Sequence, residues 1–130
     1  MVNDKKIAEL VDWIFKNFGS ERQWRINIIL TDDLFITDLN KKYLHKSSTT
    51  DVIAFDLSDE QIDEGEIYIS TDKAKNQAKF YNVSLENELV RLIAHGSLHL
   101  LGFTDLSDAE RAEMTAYEDR AIEKYFDISP

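Results

Sequence analysis

The chain contains no cysteine, only one proline and only four glycines in 130 residues. Without cysteine it has no disulfide scaffold, thiolate zinc site, iron–sulfur cluster or thiol nucleophile. The absence of cysteine also favours a reducing compartment, and we therefore expect a cytoplasmic protein. The single proline is the last residue, and no linker, repeat or low-complexity segment divides the sequence. We expect one domain over residues 1–130.

Long apolar segments are absent as well. No stretch approaches the roughly 18 consecutive apolar residues that a membrane-spanning helix needs. The N-terminal run MVNDKKIAELVDWIF lacks the pattern of a signal peptide, in which a positively charged region precedes an apolar one. Hydrophobic residues nevertheless make up 43% of the chain and aromatic residues 11%, which is enough to build a buried core. We expect a folded protein with no membrane partner.

Positive charge is scarce: 15 Lys+Arg stand against 25 Asp+Glu, a formal net charge of −10. Nucleic-acid-binding proteins usually carry a basic footprint, so the average charge argues against such a partner. The basic residues are, however, clustered. The two clusters are Lys41, Lys42, His45 and Lys46, and Lys73, Lys75 and Lys79. A basic rim on one face would let an acidic chain bind RNA there alone, and the alternative is that these lysines are simply solvated.

The hydrophobic pattern predicts an α+β domain in which about five helices pack against a mixed sheet of three or four strands. Helical spacing predicts helices over about 4–18, 34–43, 72–81, 85–101 and 108–126. Alternating or short apolar runs predict strands over 24–30, 52–55 and 65–70. The last two strands are close in sequence and are expected to pair antiparallel. The expected caps are Asn3 or Asp4 for the first helix, Thr71 or Asp72 for the third, Ser84 for the fourth and Ser107 for the fifth.

The helix predicted over 85–101 is central, because it is the most apolar, and it carries the strongest chemical signal. His95 and His99 are four residues apart, so they project from one helix face and can reach the same metal ion. Gly102 is expected to end the helix, and a turn there can bring the carboxylate of Asp105 to the same point. The alternative is that the histidines are ordinary packed side chains, although an unpaired imidazole is costly to bury.

The histidine pair does not belong to the HExxH motif of zinc proteases. The residue after His95 is Gly96 instead of Glu, so the general base of that mechanism is missing. Gly96 lies inside the predicted helix, where glycine is unfavourable, which suggests a close backbone approach. Three protein ligands leave a fourth position for water, as in catalytic zinc sites, whereas a fourth ligand such as Asp108 would indicate a structural site.

Other residues near the predicted site are candidates for substrate contact. Arg91 lies one turn before the histidine pair and can meet a phosphate or form a salt bridge with a neighbouring glutamate. Thr50 and Asp51 precede the strand over 52–55 and either contact substrate or make hydrogen bonds within a turn. Tyr43 and Phe103 can stack on a base, but core packing is the better interpretation of both.

Several motifs together resemble the YbeY family, the bacterial endoribonucleases of ribosomal RNA maturation. The run HGSLHLLGFTD at 95–105 is similar to the family's HGxLHLxGYDH. Residues 39–43, 50–55 and 65–70 are similar to LNxxYR, TDVLSF and GDIxIS, and Met114 and Glu118 match the M and E of the last helix. The resemblance covers about residues 24–126.

The resemblance implies a metal-dependent endoribonuclease specific for single strands, which acts in ribosomal RNA maturation and ribosome quality control. Its expected partners are ribosomal RNA precursors and the small ribosomal subunit or its proteins, with no role for DNA. The expected metal is one Zn²⁺ held by His95, His99 and Asp105, through which these residues take part in catalysis, with Arg91 as a further catalytic candidate. The expected substrate contacts are Lys41, Lys42, His45, Lys46, Thr50 and Asp51.

Two departures from the family pattern bear on the site, and Thr104 also stands where the pattern has Asp. Asp105 replaces the family's usual third histidine ligand, which adds a negative charge to the site and makes Fe(II) or another divalent transition metal an alternative to zinc. Leu44 replaces the arginine of LNxxYR, and His45 or Lys46 can substitute for it. Two other functions therefore stay open: a metallohydrolase of another substrate, and a ribosome-associated binding protein with a structural metal.

Overall fold

The computed structural model describes residues 2–19, 23–43 and 50–129, which form five helices and one three-stranded sheet. This agrees with the predicted α+β class. In the described part of the chain, no helix is long and apolar enough to cross a membrane. The elements are α1 (Asp4–Phe18), β1 (Trp24–Thr31), α2 (Asp33–Tyr43), β2 (Val52–Asp56), β3 (Asp63–Ser70), α3 (Thr71–Tyr81), α4 (Leu85–Leu100) and α5 (Asp108–Asp127).

Short polar side chains determine where the helices begin. The cap of α3 differs from the expectation, because Ser70 Oγ, and not Thr71 or Asp72, accepts the hydrogen bond from the backbone N–H of Lys73. Ser70 ends β3 with extended backbone, which is the conformation that a cap requires, whereas the next two residues are already helical. The predicted caps of α1, α4 and α5 are confirmed as Asn3, Ser84 and Ser107.

The sheet is mixed, with strand order β1-β3-β2. The central strand β3 pairs parallel with β1 and antiparallel with β2, and the latter pairing confirms the prediction. Alternation along β3 buries Ile67 and Ile69 completely. The helix α4 packs against β2 and β3 on one side and against α1, α3 and α5 on the others. It is therefore the central helix, as its apolar sequence predicts.

The close approach of α4 to the sheet depends on a glycine. A Cβ atom built on Gly96 would lie only 2.7 Å from Cγ2 of Ile67 on β3. The missing side chain thus lets the helix backbone approach the sheet between the two histidines of the predicted site. This explains why glycine stands at an interior helical position despite its low helix propensity.

We expect Gly96→Ala to destabilise the protein by about 1–3 kcal/mol, because Ile67 is buried and cannot move away freely. Urea unfolding measures the free energy. On an Ile67→Ala background, which removes the clashing methyl group, the same change should cost far less, since alanine is the better helix former. An equal cost in both backgrounds would show that the contact with Ile67 is not the reason for the glycine.

Candidate metal centre

The two histidines of α4 face each other. Their Nε2 atoms are 2.9 Å apart, and the centroids of the rings are 4.5 Å apart. Asp105 Oδ2 lies 3.8 Å from His95 Nε2. One nitrogen of each histidine and one oxygen of Asp105 all lie within 4.8 Å of one another. The structure therefore brings together the three residues that the sequence predicts as metal ligands.

The turn after α4 delivers Asp105 to the histidines. Gly102 has a positive φ of 99°, and its N–H donates to the carbonyl oxygen of His99 at 3.0 Å. The N–H of Phe103 donates to the carbonyl oxygen of Leu98 at 3.0 Å. These two bonds form a Schellman motif, which ends the helix and reverses the chain. The predicted role of Gly102 is confirmed, and the reversal folds the following residues back over the last turn of α4.

Both imidazoles have an acceptor at Nδ1. His95 Nδ1 lies 2.7 Å from Glu118 Oε2 on α5, and His99 Nδ1 lies 3.0 Å from the carbonyl oxygen of Phe103. A carbonyl and a carboxylate accept hydrogen bonds, so Nδ1 carries the proton and donates in each ring. The Nε2 lone pairs then point at each other, and at 2.9 Å they repel unless a proton or a metal ion lies between them. This donor set fits a divalent ion.

The surroundings of the two histidines shift their pKa values in opposite directions. Burial would lower the pKa of His95, but the hydrogen bond and charge of Glu118, with smaller effects of Asp51 and Asp105, raise it above the ordinary value. Burial and the neighbouring His95 lower the pKa of His99, and Asp105 opposes this only in part. His99 is therefore the histidine held more readily in the neutral form that a metal requires.

Arg91 forms a salt bridge with the neighbouring Glu88, which is the second of its two predicted roles. Its Nε donates to Glu88 Oε1 at 3.0 Å, and its Nη1 lies 3.5 Å from Glu118 Oε1. Burial would lower the pKa of Arg91, but the two glutamates and Asp51 raise it, so the guanidinium is charged. The structure thus connects Arg91 to His95 through Glu118.

The predicted substrate contacts that the structure describes belong to two segments, the residues just before β2 and the end of α2. The charge of Asp51 raises the pKa of both His95 and Arg91, so it is within electrostatic reach of the centre. Its side chain accepts a hydrogen bond from Thr50 Oγ1 at 3.5 Å. On α2, Lys41 is exposed, and Lys42 forms an exposed ion pair with Asp38. His45, Lys46 and the departure at Leu44 lie outside the described residues.

The two aromatic candidates have different environments. Phe103 packs against the core and lies 5.4 Å from the ring of Tyr117, as expected. Tyr43 is 63% exposed, so the expectation of core packing was wrong for it. Tyr43 is the last residue of α2, and its ring centroid lies 5.7 Å from that of Phe55 on β2. Among the described residues, no further helix or strand covers the Tyr43 ring.

Asp108 does not supply a fourth metal ligand. It is the first residue of α5, its side chain is 99% exposed, and it pairs with Arg111. Within the parts of the chain that the structure describes, the only group of histidine and acidic side chains that could hold a metal is His95, His99 and Asp105. Three ligands are typical of catalytic zinc sites, whereas structural sites have four.

Glu118 is the functional residue that the residue-by-residue reasoning missed. The sequence indicates Glu118 only as a match to a family motif and does not predict its contact with His95. A signal was available, because the buried face of α5 comprises Met114, Glu118, Ala121 and Tyr125. A carboxylate on an apolar helix stripe must have a buried partner, and the histidine pair is the natural one to test.

Comparisons with known proteins show which family the chain is similar to. The family model described as "Endoribonuclease YbeY" matches residues 2–126. A protein named Endoribonuclease YbeY from Flavobacterium johnsoniae is 38% identical over 113 residues, which cover 85% of this chain and 81% of the relative. One of the same name from Treponema denticola is 37% identical over 132 residues, covering 95% and 84%. The solution structure of TM1509 from Thermotoga maritima matches with a TM-score of 0.64 at 28% identity, covering 94% of this chain and 77% of that one. The chain belongs to the YbeY endoribonuclease family.

Proposed function

We propose that this protein is a metal-dependent endoribonuclease that hydrolyses single-stranded RNA in ribosomal RNA maturation and ribosome quality control. Family membership supports the reaction. The observation that carries the proposal is the convergence of two imidazole Nε2 atoms and the Asp105 carboxylate, with both Nδ1 atoms held by acceptors. Substrates and partners would be ribosomal RNA precursors and the small ribosomal subunit or its proteins, which implies a cytoplasmic location. DNA is not an expected substrate.

The three candidate ligands would hold one ion, for which we propose Zn²⁺. When bound, such an ion supplies Lewis acidity and lowers the pKa of water, which is the chemistry that phosphodiester hydrolysis needs. The residues themselves provide rigid placement, because His95 and His99 stand on the central helix and each has a fixed tautomer. The side chain of Asp105 is 45% exposed, so a polymer can reach the site from solvent.

The mixed ligand set bears on which metal binds. Two histidines and one carboxylate suit Zn²⁺, and the same combination suits Fe(II) and other divalent ions. The carboxylate brings one negative charge that a third histidine would not. We therefore propose a centre with weaker Lewis acidity than that of relatives with three histidines. The exposed position of Asp108 speaks against a purely structural metal.

Access for RNA in a chain of net charge −10 requires a local positive surface. We propose that the basic end of α2, with Lys41 and Lys42, forms part of a rim that contacts the phosphate backbone. Both side chains are exposed, and the pair of Lys42 with Asp38 is weak enough to be exchanged for a phosphate. Asp51 acts electrostatically on His95 and accepts a hydrogen bond from Thr50, so we propose these two residues for contacts close to the scissile bond.

Removal of metal is expected to abolish cleavage of single-stranded RNA. A bound ion would supply several kcal/mol of transition-state stabilisation, so its removal should lower the cleavage rate about a hundredfold or more. The assay is cleavage of a labelled ribosomal RNA precursor fragment before and after dialysis against a chelator, with Zn²⁺, Mn²⁺ and Fe²⁺ added back. Single-stranded DNA of the same sequence is the substrate control. His99→Ala should be equally inactive, and cleavage at the wild-type rate by that variant would point to a contaminating nuclease.

Asp105→Ala is expected to weaken metal binding, because it removes one of three ligands, whereas Asp105→His should retain it by supplying the family's usual ligand. Binding is measured as the dissociation constant of Zn²⁺ in competition with a coloured chelator. Asp108→Ala is the matched control, since this nearby carboxylate is exposed and faces Arg111. Equal affinity in Asp105→Ala and Asp108→Ala would exclude Asp105 as a ligand.

RNA affinity is expected to fall steeply as salt rises, with a logarithmic slope of about 0.7 for each phosphate contact. The double change Lys41→Ala and Lys42→Ala should make the slope shallower. Lys16→Ala on α1 is the control, because Lys16 is also exposed and also pairs with an aspartate one turn away, Asp12. Fluorescence anisotropy between low and moderate salt gives the slope. An affinity that does not respond to salt would contradict the basic rim.

A further inference from the structure

Two carboxylates are buried on the helices that carry or contact the candidate metal centre, and one of them, Glu118, reaches His95 directly. Glu88 on α4 is 1% exposed, and Glu118 on α5 is 4% exposed. Arg91 lies between them, with its side chain 27% exposed. Buried charges of this kind cost free energy even when paired, and well-packed apolar side chains often give an equally stable core. Because Glu118 contacts His95 and Arg91 joins it to Glu88, this group of buried charges calls for a functional explanation.

The buried charges form one continuous chain of contacts that ends at His95. Gln77 Nε2 on α3 donates to Glu88 Oε2 at 2.6 Å. The guanidinium of Arg91 contacts both oxygens of Glu88 through Nε and Nη2. Its Nη1 lies 3.5 Å from Glu118 Oε1, and Glu118 Oε2 lies 2.7 Å from His95 Nδ1. The two oxygens of Glu118 thus face different donors, Arg91 on one side and His95 on the other.

We propose that Glu118, Arg91 and Glu88 form a positioning relay for the metal ligand His95, a role that rests on the proposed metal site. Glu118 accepts the Nδ1 proton and so directs the Nε2 lone pair toward His99. Arg91 attracts the second oxygen of Glu118, which limits rotation of the carboxylate. Glu88, held by Gln77, fixes the guanidinium. Carboxylates that orient metal-bound histidines in this way commonly contribute 10- to 100-fold to metal affinity.

The same contacts argue against a direct role of Arg91 on RNA. All three guanidinium nitrogens face carboxylates: Nε and Nη2 face Glu88, and Nη1 faces Glu118. A phosphate at this place would meet the negative charge of both glutamates. Arg91 is therefore a positioning residue that acts through Glu118.

Metal affinity distinguishes a positioning role from a merely structural one. We expect Glu118→Gln to weaken Zn²⁺ binding by about 10- to 100-fold, because the amide has one acceptor oxygen for two donors. Arg91→Met should weaken it by about tenfold, at the lower end of that range. Glu113→Gln is the matched control, since Glu113 is exposed on α5 and lies five residues before Glu118. Zn²⁺ affinity is measured by chelator competition, and the d–d absorption of bound Co²⁺ reports the ligand geometry.

The double variant provides the decisive comparison. If Arg91 acts only through Glu118, the combination of Arg91→Met and Glu118→Gln should bind Zn²⁺ no more weakly than Glu118→Gln alone. Additive losses would show that Arg91 acts independently and would overturn the relay. An unchanged Zn²⁺ affinity in Arg91→Met together with weaker RNA binding would also overturn it, in favour of a phosphate contact. Arg91→Lys keeps the charge and serves as the second variant if Arg91→Met does not fold.

The tautomer of His95 gives a readout that does not depend on bound metal. In the metal-free protein, at a pH above the raised pKa of His95 so that the ring is neutral, ¹⁵N chemical shifts should show the proton on Nδ1 in the wild type and in Glu113→Gln, and a mixture of tautomers in Glu118→Gln. The same tautomer in all three proteins would overturn the relay. A wild type that binds no metal would remove the proposed function, and the tautomer would still decide whether Glu118 positions His95.

Discussion

The structure depends on the burial of α4, the helix that is both the centre of the core and the carrier of the candidate ligands. A buried helix can hold polar side chains only if each finds a partner. In the described part of the chain, no buried side-chain nitrogen or oxygen lacks one. Ser97 bonds to the carbonyl oxygen of Ile93, and His95 and His99 bond to Glu118 and Phe103. The hydrogen bonds that satisfy the two imidazoles in the core are therefore the same bonds that orient them.

The contacts that shape the site come from elements that are distant in sequence. The sheet brings β3 against α4 at Gly96, the helix C-terminus brings Phe103 and Asp105 back over the last turn, and α5 brings Glu118 to the other side. Each contact uses a different kind of force: close packing, backbone hydrogen bonding and a charged hydrogen bond. Because the three meet on the same two turns of helix, the geometry of the site is coupled to the packing of the whole core.

The negative charge of the chain is compatible with an RNA-cleaving family once the charges are located. Part of it is internal: Glu88 and Glu118 are buried beside one arginine and do not face solvent. These two carboxylates raise the pKa of Arg91, and Glu118 raises that of His95, so they act on the site and not on an approaching polymer. Net charge is an average over the surface, and recognition depends on the local field.

Much of the fold was predictable from local sequence. Periodicity placed the five helices and three strands, and short polar residues marked three of the four helix starts compared above, because both signals act between residues a few positions apart. The cap of α3 was missed, since Ser70 belongs to a strand whose extended end is a property of the sheet. The exposure of Tyr43 was missed for a similar reason: a helical apolar pattern does not show whether another element covers the residue.

By itself, the sequence determined the chemistry that is available: no sulfur ligands, two imidazoles four residues apart and a carboxylate after a glycine turn. Only the tertiary structure decided which partners orient those groups, because Glu118 is 23 residues from His95 and reaches it through the packing of α5 on α4. It also decided that the guanidinium of Arg91 pairs with two buried glutamates. Spacing along a helix is set by covalent geometry, whereas contacts between helices are set by the burial of the entire core.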